Sequence, residues 1–177
     1  MLPATIDAPE TFAGSLVQPL HWVTGVREYH SQDAAGQVFL HGVTNADRSY
    51  VVFDPPILRM VSAFAPGVEW ETTTELIYYS IDGVELGRQA GHSTSRVISV
   101  GSVDVPAGTF QAAEVQRTEQ TGSLTQAFRD MYAEGVGWIR RTDETGASIL
   151  FQLETYGPGP TPTRVMSWGA VKSQYKE

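Results

Sequence analysis

The chain has 177 residues, no cysteine, and 20 acidic against 12 basic residues, for a formal net charge of -8. That length suits one domain that buries roughly 70% of its unfolded surface without help from a metal or a disulfide. The missing cysteines exclude thiol catalysis and thiolate metal sites, and the negative field excludes nucleic acid and anionic membrane surfaces as partners.

No window approaches ~18 uninterrupted apolar residues, so no membrane span is expected. The N-terminal stretch lacks the basic and apolar regions of an export signal. In chain order, Thr5 to Gly14 is the best helical candidate, with Asp7 placed to cap a short turn. From there apolar residues alternate instead of recurring at helical spacing, and Val, Ile, Thr, Tyr, Phe and Trp run densely, which predicts strands. A first strand lies near 20–29, around Leu20, Trp22 and Val26, and others follow at 37–43, 48–53, 57–64, 70–81, 94–105, 110–120, 125–132 and 135–142. Ile149, Phe151 and Leu153 alternate with polar residues in a last one.

Turn chemistry separates these runs. Asn45-Ala46-Asp47, Asp54-Pro55-Pro56, Ala65-Pro66-Gly67 and Glu144-Thr145-Gly146 are corners, and Asp82-Gly83 predicts a two-residue type I′ hairpin with positive φ at both positions. In "VDVPAGTF", Pro106 presets a type I turn, Ala107 follows, and Gly108 is expected to adopt the left-handed conformation that closes a three-residue hairpin with a bulge. The expected organisation is one β domain over 1–156, a linker over 157–163 ("GPGPTPT"), and a tail over 164–177. Val165, Met166, Trp168 and Val171 give that tail apolar surface to pack on the domain.

"VDVPAGTFQAAEV" followed by "MYAEGVGWIRR" resembles a broad group of bacterial exported proteins of unknown function, in which a V-P-A-G-T-F strand precedes a Y-A-x-G-V-G strand. "FDPPILRMVSAFAPGVEWE" and "PLHWVTG" are similar to the group's upstream elements, so the resemblance spans roughly residues 18 to 155. The group is similar in pattern to periplasmic lipoprotein carriers, whose curved antiparallel sheet forms an incomplete barrel around an apolar cavity. The resemblance implies an envelope or secreted location and binding of an apolar ligand or partner, and it carries no catalytic residues over. The lipidated cysteine or signal sequence common in the group is missing from this N-terminus.

Other constellations weigh less. "GVGW", with Gly135, Gly137 and Trp138, lacks the lysine and strand-to-helix context of a phosphate loop and reads as a flexible strand start. "GHSTS" departs from a nucleophile elbow because Ser95 stands where the second glycine is needed. His21, His30, His41 and His92 have no ligand spacing, and Glu69, Glu71 and Glu75 read as a solvated outer face before a carboxylate pair. The aromatics carry the sharper expectation, because a sheet of about eight or more strands curls widely enough to hold a small ligand. The predicted cavity lining is Leu58, Met60, Phe64, Trp70, Leu76, Tyr78, Phe110, Trp138, Ile149 and Phe151, with Asp82, Gly83, Pro106 and Gly108 as structural turns.

The expected fold is therefore all-β, an antiparallel meander of about ten strands curled into a half-barrel. The expected function is a non-enzymatic exported protein that binds an apolar small molecule, a lipid or an envelope protein on a concave aromatic face, with no cofactor and no metal. A structural or assembly protein with a filled core is the first alternative, and a hydrolase using His92, Ser93 or the Glu71 region the second. Open sheet edges leave a homodimer as open as a monomer.

Overall fold

The computed structural model describes residues 4–22, 24–133 and 136–153. The predicted linker 157–163 and tail 164–177 lie outside the described residues, as does Gly135. All described regular structure is antiparallel sheet, in twelve strands: β1 (Ala4–Ile6), β2 (Glu10–Phe12), β3 (Ser15–Trp22), β4 (Arg27–Gln32), β5 (Val38–Thr44), β6 (Tyr50–Met60), β7 (Glu69–Tyr79), β8 (Glu85–Val105), β9 (Gly108–Thr121), β10 (Leu124–Ala133), β11 (Gly137–Asp143) and β12 (Ile149–Gln152). Each strand from β3 onward pairs with the next. β1 and β2 both pair with β3, and among the described residues no ladder joins the two ends, so the sheet is curled and open.

The expected N-terminal helical turn is absent. Asp7-Ala8-Pro9 instead interrupts what would be one strand into β1 and β2, both held on the same edge of β3. The run predicted at 20–29 is divided by a turn in which the Gly25 amide donates to the Trp22 carbonyl. The runs predicted at 48–53 and 57–64 are one strand that passes through the cis Asp54-Pro55 bond and ends at Met60.

Turn chemistry differs in detail from expectation. At Asp82-Gly83 the loop spans Ile81 to Gly83, with the Gly83 amide donating to Ser80 and only Gly83 at positive φ, so it is a type I turn with a glycine bulge. The hairpin with positive φ at both central residues is Ala13-Gly14, where φ is 47° and 82°. At "VPAGTF" the loop is only Pro106-Ala107, because Gly108, at φ 130°, already stands opposite Val105 in the ladder.

The fold turns on β6. Its first half, Tyr50–Asp54, pairs with β7, but Pro55–Met60 leaves that ladder while staying paired to β5. Side chains of β7 take over its backbone groups: Thr72 Oγ1 accepts from the Leu58 amide at 3.1 Å, the Trp70 indole donates to the Leu58 carbonyl at 3.0 Å, and Thr74 donates to the Pro55 carbonyl at 2.7 Å. The backbone therefore stays satisfied where the ladder stops. The departure folds the β3–β6 half over the concave face of the β7–β11 half. Between them lies a core of Val38, Met60, Val97, Ala113, Val115 and Tyr132. The 61–68 loop plugs one end, with Phe64 stacked on Tyr132 at 6.0 Å and Gly67 and Val68 hydrogen-bonded to Val97.

Two apolar clusters occupy the opposite face. Val105, Ala112, Ala133, Val136, Ile139 and Leu153 form one. In the other, Phe12 of the β2 hairpin stacks on Tyr29 at 3.9 Å and meets Tyr50 edge-on, while Tyr50 stacks on Tyr79. Gly42 makes room for Phe12, since a Cβ there would stand 2.5 Å from the ring and 2.3 Å from the Val51 carbonyl.

Candidate functional site

Alternation along β9 and β10 puts polar residues on the buried side of the sheet. Ala113, Val115, Arg117 and Glu119 share one face of β9, and Phe128, Asp130 and Tyr132 share the matching face of β10. Arg117 and Asp130 are 1% and 0% exposed and are the most deeply buried charges among the described residues. Arg117, on β9, distributes its fork over three other strands. Nε donates to Ser95 Oγ at 3.3 Å, Nη2 to the Arg59 carbonyl at 2.7 Å and to the Tyr132 hydroxyl at 3.1 Å, and Nη1 lies 3.4 Å from Asp130. Only a guanidinium offers enough rigidly placed donors for this.

Asp130 also receives Arg141 of β11 in a bidentate pair, at 2.7 and 3.0 Å. The Arg141 guanidinium lies 4.0 Å from the Phe128 ring centre and 4.4 Å from that of Trp138, and Trp138 meets Trp22 edge-on at 5.6 Å. These contacts bring β3 against β11 across the fold with no shared ladder. Around the pair, Arg59 bonds Glu119, and His30 Nε2–H donates to Glu28 at 3.0 Å. His30 Nδ1 is buried without a hydrogen-bond partner among the described residues.

The electrostatics follow the geometry. Burial alone raises the Glu28 pKa, but the His30 hydrogen bond and the charges of His30, Arg59 and Arg141 outweigh it and hold that pKa at about 2. Glu119 is lowered in the same way, its burial offset by Arg59 and Arg117. Burial opposes the charge on Arg117 and Arg141, yet both are raised, by Tyr132 and Asp130 and by Asp130 respectively. Burial raises the Tyr132 phenol. Three carboxylates meet three guanidiniums, so the cluster is internally compensated.

Of the predicted lining residues, Met60, Phe64, Trp70 and Trp138 gather around the core between the two halves, where they pack on one another's neighbours. Leu76 is buried on the same face of β7, its methyl against Gly91, and Tyr78 lies further along at the solvent end, donating to Gln89 at 3.3 Å. Leu58 stands opposite Phe39, and its backbone amide and carbonyl are hydrogen-bonded to Thr72 and Trp70 of β7. Phe110 sits elsewhere, packed on the opposite-face cluster with Val105 and Ala112, because its place on β9 has the parity of Ala112 and not of Ala113. Ile149 is 54% exposed on β12, opposite Thr142. Phe151 stands opposite Arg141 in the ladder, and its side chain lies outside the described residues.

The hydrolase candidates divide between the two faces of β8. His92 points outward, 3.4 Å from Glu71, while Ser93 is buried on the other face of β8. Each histidine has its own neighbour, His21 near Asp7, His30 on Glu28, His41 on Ser31 and His92 on Glu71. No group of three or more acidic or histidine side chains among the described residues could hold a metal ion. No described helix is long and apolar enough to cross a membrane. The ionic cluster went unforeseen in the sequence, where Arg117 and Asp130 look like ordinary polar partners of alternating strands. The available signal was parity, since both stand in register with Val115 and Tyr132. Comparison of the chain with protein-family models, curated proteins and solved structures finds no match.

Proposed function

We propose that the protein is a non-enzymatic β scaffold of the bacterial envelope that engages protein partners through its outer surface and strand edges, with an interior closed to apolar cargo. One observation carries the reading. The concave face is occupied by the chain's own side chains: Met60, Val97, Val115 and Tyr132 close on one another, and the 61–68 loop seals one end. Where a lipid chain would run deeper between the halves, it would meet Arg117, Asp130 and Arg141, and separating those charges to admit hydrocarbon would leave them unpaired in a low dielectric. The likeness of "VDVPAGTF" and "MYAEGVGWIRR" to bacterial exported proteins supports the envelope location.

Titration with an apolar fluorescent dye tests the closed interior. Native protein is expected to leave dye emission at the level of a buffer control, with fatty acids and phospholipids giving no thermal stabilisation. Saturable one-to-one dye binding displaced by a lipid would overturn the reading in favour of a carrier.

A further inference from the structure

The β7–β8 hairpin extends past its neighbours. β8 pairs with β7 over Glu85–Arg96, but with β9 only from Gly91 onward. Along Glu85–Ala90 one edge of β8 therefore faces no strand among the described residues, and every residue there except Gly87 is exposed. The missing neighbour is cut off by the β9–β10 turn, where the Gly122 amide donates to the Ala90 carbonyl at 3.3 Å. Unpaired backbone of this kind is a template for another strand, and protected edges usually carry proline, lysine or a covering segment. This one carries a bulge at Leu86 and the charges of Glu85 and Arg88, but it also has Ile81, Val84 and Leu86 exposed at 58%, 61% and 67%, with Leu124 of the neighbouring turn at 60%.

We propose that this edge pairs antiparallel with the same edge of a second copy of the chain, forming an isologous two-fold dimer. Two features choose a second copy as the occupant. The segment is self-complementary in charge: antiparallel pairing sets Glu85 of each copy opposite Arg88 of the other, and both side chains stand on the same face, where Arg88 already holds Glu85 at 2.8 Å and Glu75 at 2.8 Å. The geometry also closes. A partner strand antiparallel to β8 lies in line with β9 and fills the place that β9 vacates, which brings the partner's hairpin tip against the β9–β10 turn. Ile81 and Val84 of one copy then cover Leu124 of the other, twice, so the exposed apolar residues at this end are buried by one symmetric contact. The two sheets become continuous, and backbone hydrogen bonds supply affinity as in other strand additions. The inference rests on the scaffold reading above, since it names the first partner of its edges.

Sedimentation velocity of the full chain from low micromolar to several hundred micromolar tests it. The wild type is expected to dimerise, and Leu86→Lys and Arg88→Glu are each expected to weaken association at least tenfold, with the far-ultraviolet circular dichroism spectrum unchanged. Glu85→Arg combined with Arg88→Glu restores the charge pairing and is expected to restore the dimer. Because the chain has no cysteine, Glu85→Cys with Arg88→Cys is expected to give a disulfide-linked dimer on oxidation. A wild type that stays monomeric throughout, or a dimer indifferent to both single substitutions, overturns the proposal. A monomer that also excludes apolar dye would sink the pairing while leaving the scaffold reading intact, and a dimer that binds dye would do the reverse.

Discussion

Arg117 Nη1 lies 3.4 Å from Asp130 Oδ2, with both side chains sealed from solvent between the two halves of one sheet. The pair ties β6, β8, β9 and β10 together, and through Asp130 it reaches Arg141 on β11. Removing one partner of such a pair strands a buried charge, which costs about 3–5 kcal/mol. Asp130→Asn is therefore expected to lower unfolding stability by that amount in urea titrations. Replacing Arg117 by Met and Asp130 by Leu together is expected to recover much of the loss. Equal destabilisation by the single and double variants would contradict this account of the pair.

Acid should loosen the same region. The Glu28 pKa is about 2 in the folded state against an ordinary 4.5, and Glu119 is lowered as well, so both carboxyls bind protons more weakly folded than unfolded. Their stabilisation is fully present above pH 4.5 and is lost as pH falls toward 2. For Glu28 the shift corresponds to roughly 3 kcal/mol. Stability measured across that window is expected to fall steeply in the wild type and less steeply in Glu28→Gln, and parallel profiles would disprove the assignment.

Among the described residues, two non-glycine residues occupy the left-handed region, Ala13 at φ 47° and Arg48 at φ 69°. Such a conformation costs an L-residue roughly 1–2 kcal/mol, part of which glycine or asparagine recovers. Arg48→Gly and Ala13→Asn are each expected to raise stability by about 0.5–1 kcal/mol, read as an upward shift in melting temperature.

At Gly42 the opposite holds. An added methyl would collide with the Val51 carbonyl and the Phe12 ring, and the carbonyl belongs to a ladder that cannot give way cheaply. Gly42→Ala is expected to cost about 2 kcal/mol or more, and Gly42→Ala with Phe12→Ala less than the sum of the two single changes. Gly108→Ala would meet only the Phe110 ring, at an unstrained 4.0 Å, but keeps φ at 130°, so its smaller loss, about 1 kcal/mol, is conformational.

The sheet itself was legible because period-2 alternation and β-branched residues run almost unbroken from Val38 to Asp143, and because Asp-Gly and Pro-Ala-Gly mark the hairpins. The boundaries that failed have local causes. Asp7 and Pro9 suggest a cap but serve as a break in a strand, and Pro55-Pro56 suggests a corner but lies where β6 changes neighbours. The lining of the interior was legible only in part, for a different reason. Aromatic load predicts apolar surface without saying which face receives it, so Phe110 and Trp138 look alike in sequence and lie on opposite sides of the sheet. Charged residues are usually outward, and parity with Val115 in "VQRTE" and Tyr132 in "FRDMY" places Arg117 and Asp130 on the buried face without revealing that they meet across neighbouring strands.

On the proposed reading the fold closes on itself around Met60, Val115, Tyr132 and the Arg117–Asp130 pair and takes up no apolar cargo. Mass spectrometry of an organic extract from freshly purified native protein, set against an extract of heat-treated protein, decides it. Extracts with no protein-associated lipid or other apolar compound are expected. A compound recovered at near one-to-one amount from the native protein would contradict it.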